Sequence, residues 1–217
     1  DLNSHLTDVS DINNIEIVRN KSNIGACANI GRCFELCQTP YIWILGDDDI
    51  PKPDAIKTII KNIKGDPDVS FFNYYCEIIS NRNSFDNSYE RKHTKKVTGL
   101  TNFIEEIDDF SNLLFISNNI YKIELFRKNI QFAYQYAFTL APQLAILFQS
   151  LEEKTKVNYQ AERIVNWGKP EVEDSWSVVQ QSLGYNSLLE LPKIVSNGLV
   201  NALGKKLNTG KISLRIV

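Results

Sequence analysis

Methionine is absent from this 217-residue chain, position 1 included, so the stretch reads as part of a longer one. Histidine occurs twice, at His5 and His93 in polar segments, and no Cys-x-x-Cys spacing accompanies either, which argues against the common zinc frameworks. The four cysteines (Cys27, Cys33, Cys37, Cys76) are sparse and read as reduced, packed thiols of a cytosolic protein. No apolar run approaches the ~20 residues of a membrane-crossing helix, and the opening DLNSHLTDVSD has no signal-peptide core. Positive excess is missing too. Against 26 acidic residues stand 24 Lys and Arg, a net charge of -2, which gives no basic field for duplex nucleic acid. Internal repeats and low-complexity tracts are also absent.

What remains is ordinary globular composition, 43% hydrophobic and 23% charged, enough to bury one substantial core. NIEIVRN (Asn14 to Asn20) alternates and reads as a strand. Asn23 and Gly25 suit a turn into a helix with Ala26, Ile30, Cys33, Phe34 and Cys37 on one side, stopped by Thr39 and Pro40. YIWIL (Tyr41 to Leu45) reads as a strand buried on both faces. After GDDDIPKP comes a helix with Ile56, Ile59, Ile60 and Ile63 in phase, Asp54 as N-cap and Gly65 as stop. DVSFFNYYCEII is the next strand, and a short helix surrounds TNFIEEIDDF. LLFISNNIYKIELFRK reads as a strand ending near Ser117, Asn118 and Asn119, then a helical turn. A mainly helical stretch follows, in which Pro142 starts or kinks a helix; KVNYQAERIVNWG is a last strand. Alternating strands and helices imply an α/β layer fold with a mixed, mainly parallel sheet over residues 1–165, and a helical C-terminal extension over 166–217.

Asp47, Asp48 and Asp49 directly follow a strand. Adjacent carboxylates repel, and a hard divalent cation, Mn²⁺ or Mg²⁺, relieves the repulsion while sharing phosphate oxygens of a nucleotide. On an extended segment Asp47 and Asp49 point to one side and Asp48 away, so the outer pair suits one metal. A solvated acidic turn before a helix is the plainer alternative. An EF-hand fails, since counting from Asp47 puts Lys52 and Thr58 where Gly and Glu belong. A phosphatase D-x-D-x-T/V motif fails at Pro51.

The run NKSNIGACANIGRCFELCQTPYIWILGDDDIPKPDAI resembles family 2 glycosyltransferases, with Asn-x-Gly, a helix bearing a further Asn, a hydrophobic strand and D-x-D before a Pro and a helix. LLFISNNIYKIELFRK is similar to the acceptor-side segment of that family. The resemblance implies a three-layer nucleotide-diphospho-sugar transferase-like domain that moves a sugar, with inversion, from a nucleoside diphosphate sugar to a saccharide or lipid-linked acceptor in bacterial cell-surface polysaccharide synthesis. It implies that Asn23, Gly25 and Asn29 shape the nucleotide pocket. Asp47 would contact ribose or metal, Asp49 would hold the metal, and Asp48 is a second donor-site candidate. A cytoplasmic enzyme at the inner membrane face is expected.

Two departures qualify the match. The family's opening Pro-Thr-Tyr-Asn-like strand is not recognisable, and its Glu-Asp base is replaced by YQYAFTLAPQLA, which puts Tyr136, Thr139 and Gln143 in place of carboxylates. Candidate bases are then Gln143, Glu105 and Asp108, with Glu106 and Asp109 beside them, although a charged helix surface explains that run as well. A nucleotidyltransferase would want a Gly-rich basic loop near the start, which is not visible; a binding homologue without a base is the other alternative. In the tail, Lys193, Lys205, Lys206, Lys211 and Arg215 accompany Leu199, Val200, Leu203 and Leu207, with no acid after Glu190. Those leucines either face anionic lipid or dock on the domain.

Overall fold

The computed structural model describes residues 15–47, 49–78, 91–167 and 178–209. The elements run α1 (Ala26–Leu36), β1 (Tyr41–Trp43), β2 (Ile50–Pro51), α2 (Ala55–Gly65), β3 (Val69–Ile78), β4 (Lys95–Thr98), α3 (Leu100–Glu105), α4 (Phe110–Leu114), β5 (Asn119–Lys122), α5 (Ile123–Arg127), α6 (Ile130–Gln135), α7 (Pro142–Ser150), β6 (Lys156–Trp167), α8 (Val178–Ser187), α9 (Pro192–Ser196) and α10 (Val200–Thr209).

One mixed sheet of order β1-β5-β3-β6-β2, with β4 also on β6, organises the chain. The α/β reading holds, but the sheet is not mainly parallel among the described pairings: only β3 and β6 pair parallel, through Phe71 to Val157 and Asn73 to Tyr159. β5 lies antiparallel between β1 and β3, and β4 and β2 run antiparallel to β6. An apolar run encodes burial and not direction, so sequence pattern could not decide this.

Alternation along β3 and β5 divides the core. Phe71 and Tyr121 face a large cluster with Phe34, Phe103, Phe126, Phe148 and Tyr159, built with α1, α3 and α7. Phe72, Tyr74 and Ile120 face the opposite side, where Ala55 and Ile59 of α2 pack with Ile164 and Val165. Helices on both faces give the expected three layers. α7 is buried at every residue, and Pro142 opens it at the position where a missing N–H costs nothing.

Several expectations shift. Ile15, Ile17 and Val18 form no strand and are exposed. β1 is three residues long, only half-buried, and has β5 as its partner among the described residues. Ser117 and Asn118 lie in a 3-10 turn (Ile116–Asn118) that follows α4, and Asn119 begins β5, so the segment leads into a strand instead of ending one. Of the residues that read as breaks in the tail from Ser175 to Val217 (Gly184, Pro192, Gly198 and Gly204), Gly184 and Gly204 lie inside α8 and α10 and do not break them. Cys27, Cys33 and Cys37 are free thiols.

The tail docks. Leu191, Ile194 and Leu203 are fully buried and Leu199 nearly so, all in the main cluster. Lys206 Nζ donates to the carbonyls of Glu105 and Ile107 at 2.7 Å each, closing the C-terminal end of α3. The leucines that an amphipathic surface helix would turn to lipid are therefore inside the protein. Among the described residues, no helix is long and apolar enough to cross a membrane.

Candidate functional site

The acidic segment leaves the C-terminal end of β1 and crosses toward β6, where Ile50 and Pro51 pair with Asn166 and Val165. Strand ends of α/β sheets are where ligands bind. The Asp49 amide donates to the Gly46 carbonyl at 3.3 Å, so Gly46 to Asp49 form a β-turn with Asp47 at its first central position. This corrects the extended geometry expected from sequence. Asp47 sits exposed on the turn, whereas Asp49 is 8% exposed and turned inward. Asp48 lies outside the described residues.

Ser117 holds the turn. Its Oγ accepts the Gly46 N–H at 2.9 Å and donates to Asp49 Oδ2 at 2.5 Å, while its carbonyl accepts Trp43 Nε1–H at 2.8 Å. Behind it runs a seam of buried polar groups. Asn118 Nδ2 donates to Asn112 Oδ1, and Asn112 Nδ2 to Asn73 Oδ1. Asn73 Oδ1 also accepts from Arg91 Nη2, and Asn119 Oδ1 accepts from Asn73 Nδ2. Arg91 then grips Asp108 through Nε and Nη2, 2.9 and 3.0 Å, with its guanidinium 4.6 Å from the Tyr75 ring and 4.8 Å from that of Tyr159.

This seam decides the standing of Asp108. Burial by itself would raise its carboxyl, but the Arg91 hydrogen bonds and charge hold it below the usual carboxylate range. Asp108 is thus an ion-pair partner of the core. Asp109 caps α4, accepting from the Ser111 amide at 2.9 Å. Glu105 is exposed on α3, and Glu106 pairs with Lys95 on the surface. Gln143 is buried in the first turn of α7 and donates through Nε2 to the Leu114 carbonyl at 2.9 Å. Near α1, Asn23 Oδ1 accepts the Gly25 N–H at 2.9 Å, Gly25 takes φ 79° as N-cap, and Asn20 Nδ2 donates to Asn29 Oδ1 at 3.0 Å. Asn23 and Gly25 thereby form an exposed turn into α1, and Asn29 is exposed on the first turn of that helix. His93 is exposed.

A hard cation shared with a diphosphate needs few protein oxygens. The turn offers carboxylate oxygens of the kind Mn²⁺ and Mg²⁺ prefer, one exposed at Asp47 and one at Asp49 that is turned inward with Oδ2 engaged by Ser117. Among the described residues no group of three or more His, Cys, Asp or Glu gathers as a metal cage.

The family model for glycosyl transferase family 2 matches residues 4–131, more than half of the chain. The chain belongs to glycosyl transferase family 2. No curated protein matches it. Among solved structures, the family 2 chain is similar to S. aureus TarS 1-349 in complex with UDP-GlcNAc, with TM-score 0.68 and 12% identity over 95% of this chain and 59% of that one. A second structure of S. aureus TarS 1-349 matches at TM-score 0.63 and 12% identity, over 99% of this chain and 62% of that one. The complex with UDP gives TM-score 0.51 and 12% identity, over 82% and 49%. At this identity the likeness establishes the fold alone. The chain spans about 59% of the first of these structures.

Ser117 and the asparagine seam were not singled out as site residues by sequence reasoning. The available signal was three polar residues, Ser117 to Asn119, inside an otherwise apolar run, where each must find a buried partner.

Proposed function

We propose that this family 2 chain is the catalytic part of a glycosyltransferase that uses a nucleoside diphosphate sugar and a divalent cation, Mn²⁺ or Mg²⁺, at the turn Gly46 to Asp49. The observation that carries the reading is the placement of that turn: at the carboxyl end of β1, held over the sheet by Ser117, with Asp47 exposed. Asp47 and Asp49 would hold the cation, whose bound charge offsets that of the leaving diphosphate. Asn23, Gly25 and Asn29 would border the nucleotide, and Asp48 is a further donor-site residue. The acceptor is a saccharide or a lipid-linked saccharide of cell-surface polysaccharide assembly, and transfer inverts the anomeric centre. We place the catalytic unit in residues 1–165 and the helical extension in 166–217, in the cytoplasm at the inner membrane face. There the tail's lysines, not its docked leucines, would be the lipid contact.

One observation favours a second reading. Gln143 stands in the region where the resemblance implies a carboxylate base, and it is buried and donating to a carbonyl. A nucleotide-sugar-binding protein that does not activate an acceptor has that composition. S. aureus TarS 1-349 is in complex with UDP-GlcNAc, so that donor is the first to test. Calorimetry with UDP-GlcNAc and a panel of other nucleotide sugars, with Mn²⁺ and with chelator, should show cation-dependent binding for one donor. Product analysis with that donor separates transfer from binding alone. Equal affinity in chelator removes the metal from the mechanism.

A further inference from the structure

Ser117 is fully buried, yet both polar contacts of its hydroxyl go to one loop. A serine hydroxyl has a single proton. With the Gly46 N–H occupying a lone pair at 2.9 Å, that proton is directed to Asp49 Oδ2, 2.5 Å away, the short separation of a charge-assisted bond. The residue itself is fixed from two sides. Its carbonyl takes the Trp43 indole N–H, which ties it to β1, and its neighbour Asn118 donates to Asn112, whose amide is anchored on Asn73 and on the Tyr74 carbonyl. The hydroxyl is therefore mounted on the 3-10 turn that leads into β5, and the acidic turn hangs from it at both ends.

We propose that Ser117 is a positioning residue for the donor site: it locks Asp49 against Gly46, so that the turn is preorganised before the nucleotide arrives. This rests on the reading of the turn as the donor site. Without the hydroxyl, the Gly46 amide loses the acceptor and Asp49 Oδ2 the donor that Ser117 supplies, so the link between the two ends of the turn is gone.

The test measures Mn²⁺·UDP binding by calorimetry and amide exchange at Gly46 in the wild type, Ser117→Ala, Ser117→Cys, Asp49→Asn and the double variant Ser117→Ala/Asp49→Asn. Ser117→Ala is expected to weaken binding about tenfold, the loss of one bond to a charged group, and to speed exchange at Gly46 while amides of the β1 and β5 pairing stay protected. Ser117→Cys keeps the volume, so it reports even where the alanine variant does not fold, and it should weaken binding likewise. Because Ser117 acts on Asp49 as well as on Gly46, Ser117→Ala should speed exchange at Gly46 less in the Asp49→Asn background than in the wild type; strictly additive effects would assign Ser117 a purely structural part and overturn the proposal. Lost binding in Asp49→Asn beside unchanged binding and exchange in Ser117→Ala overturns it without touching the donor-site reading. Absent binding in the wild type, or intact binding in Asp49→Asn, overturns that reading and the proposal with it.

Discussion

Arg91 makes five hydrogen bonds from a side chain that is 2% exposed: two to Asp108, one each to the carbonyls of Asn73 and Gln160, and one to Asn73 Oδ1. A buried cation is tolerated only under such coverage. Arg91→Met should therefore cost about 3 kcal/mol in urea denaturation, because the acceptors on Asn73 and Gln160 lose their donor; a loss within experimental error would mean that the cluster is solvated. Asp108 adds a pH signature. Its folded pKa lies below its unfolded value, so its contribution to stability is complete above the unfolded pKa and is lost as pH falls through the folded one. In Asp108→Asn the stability curve should be flatter below about pH 4 than in the wild type. At this scale the sequence showed the Asn23–Gly25 turn plainly, because local chemistry sets it; it showed the acidic residues but not their geometry, which Ser117 sets from far along the chain. It could not show that Asp108 belongs to Arg91, since their pairing across 17 positions exists only after β3 and β6 meet.

Among elements, α8 shows why a glycine inside a helix need not be a break. A Cβ on Gly184 would lie 2.1 Å from the Thr139 carbonyl oxygen and 2.5 Å from its carbon, backbone of the short turn Ala137–Thr139. Helix propensity favours alanine by about 1 kcal/mol, whereas forcing atoms into packed space costs roughly 1–3 kcal/mol or more. The overlap is with backbone and cannot be rotated away, so packing wins. Gly184→Ala should lower the melting temperature, and Gly204→Ala in α10, where a Cβ meets nothing within 4 Å, should hold or raise it. Equal effects at the two sites would sever the contact between α8 and the turn. The same competition explains which elements were legible. α1, α2 and α7 form where local signals placed them, with Pro142 opening α7, but the expected faces shift: Ile56 and Ile60 are exposed while Ala55 and Ile59 are buried, Cys27 is buried in place of Ala26, Asp54 stands at the N-cap without a side-chain cap bond, and Gly65 is the last residue of α2. Asn14 to Asn20 has a strand's alternation, but no strand forms over the described part of it, and a strand exists only with a partner.

Across the whole molecule, the tail and the α/β layers share a single core, which bears on how lipid contact is to be sought. Leu191, Ile194, Leu199 and Leu203 are between 0% and 7% exposed and pack in the same cluster as Phe103 and Leu144. Full burial of such side chains contributes roughly 1.5–3 kcal/mol each. The four together contribute on the order of 6–12 kcal/mol, which rivals the roughly 5–15 kcal/mol net stability of a domain. Truncation after Glu190 is therefore expected to abolish cooperative melting, followed by circular dichroism, and not merely to remove an appendage. A truncated chain that melts as the intact one does would mean that the layers are stable without α9 and α10. Since truncation disturbs the core, vesicle binding has to be read from charge alone: Lys205 is exposed beside the docked helix face, so Lys205→Glu changes the surface without entering the core. If the tail meets anionic lipid through its lysines, this variant should co-sediment less with phosphatidylserine vesicles than the wild type at low salt, with an unchanged melting temperature. The difference should vanish as salt screens the charge, and identical sedimentation of the two chains at low salt removes Lys205 from any membrane contact.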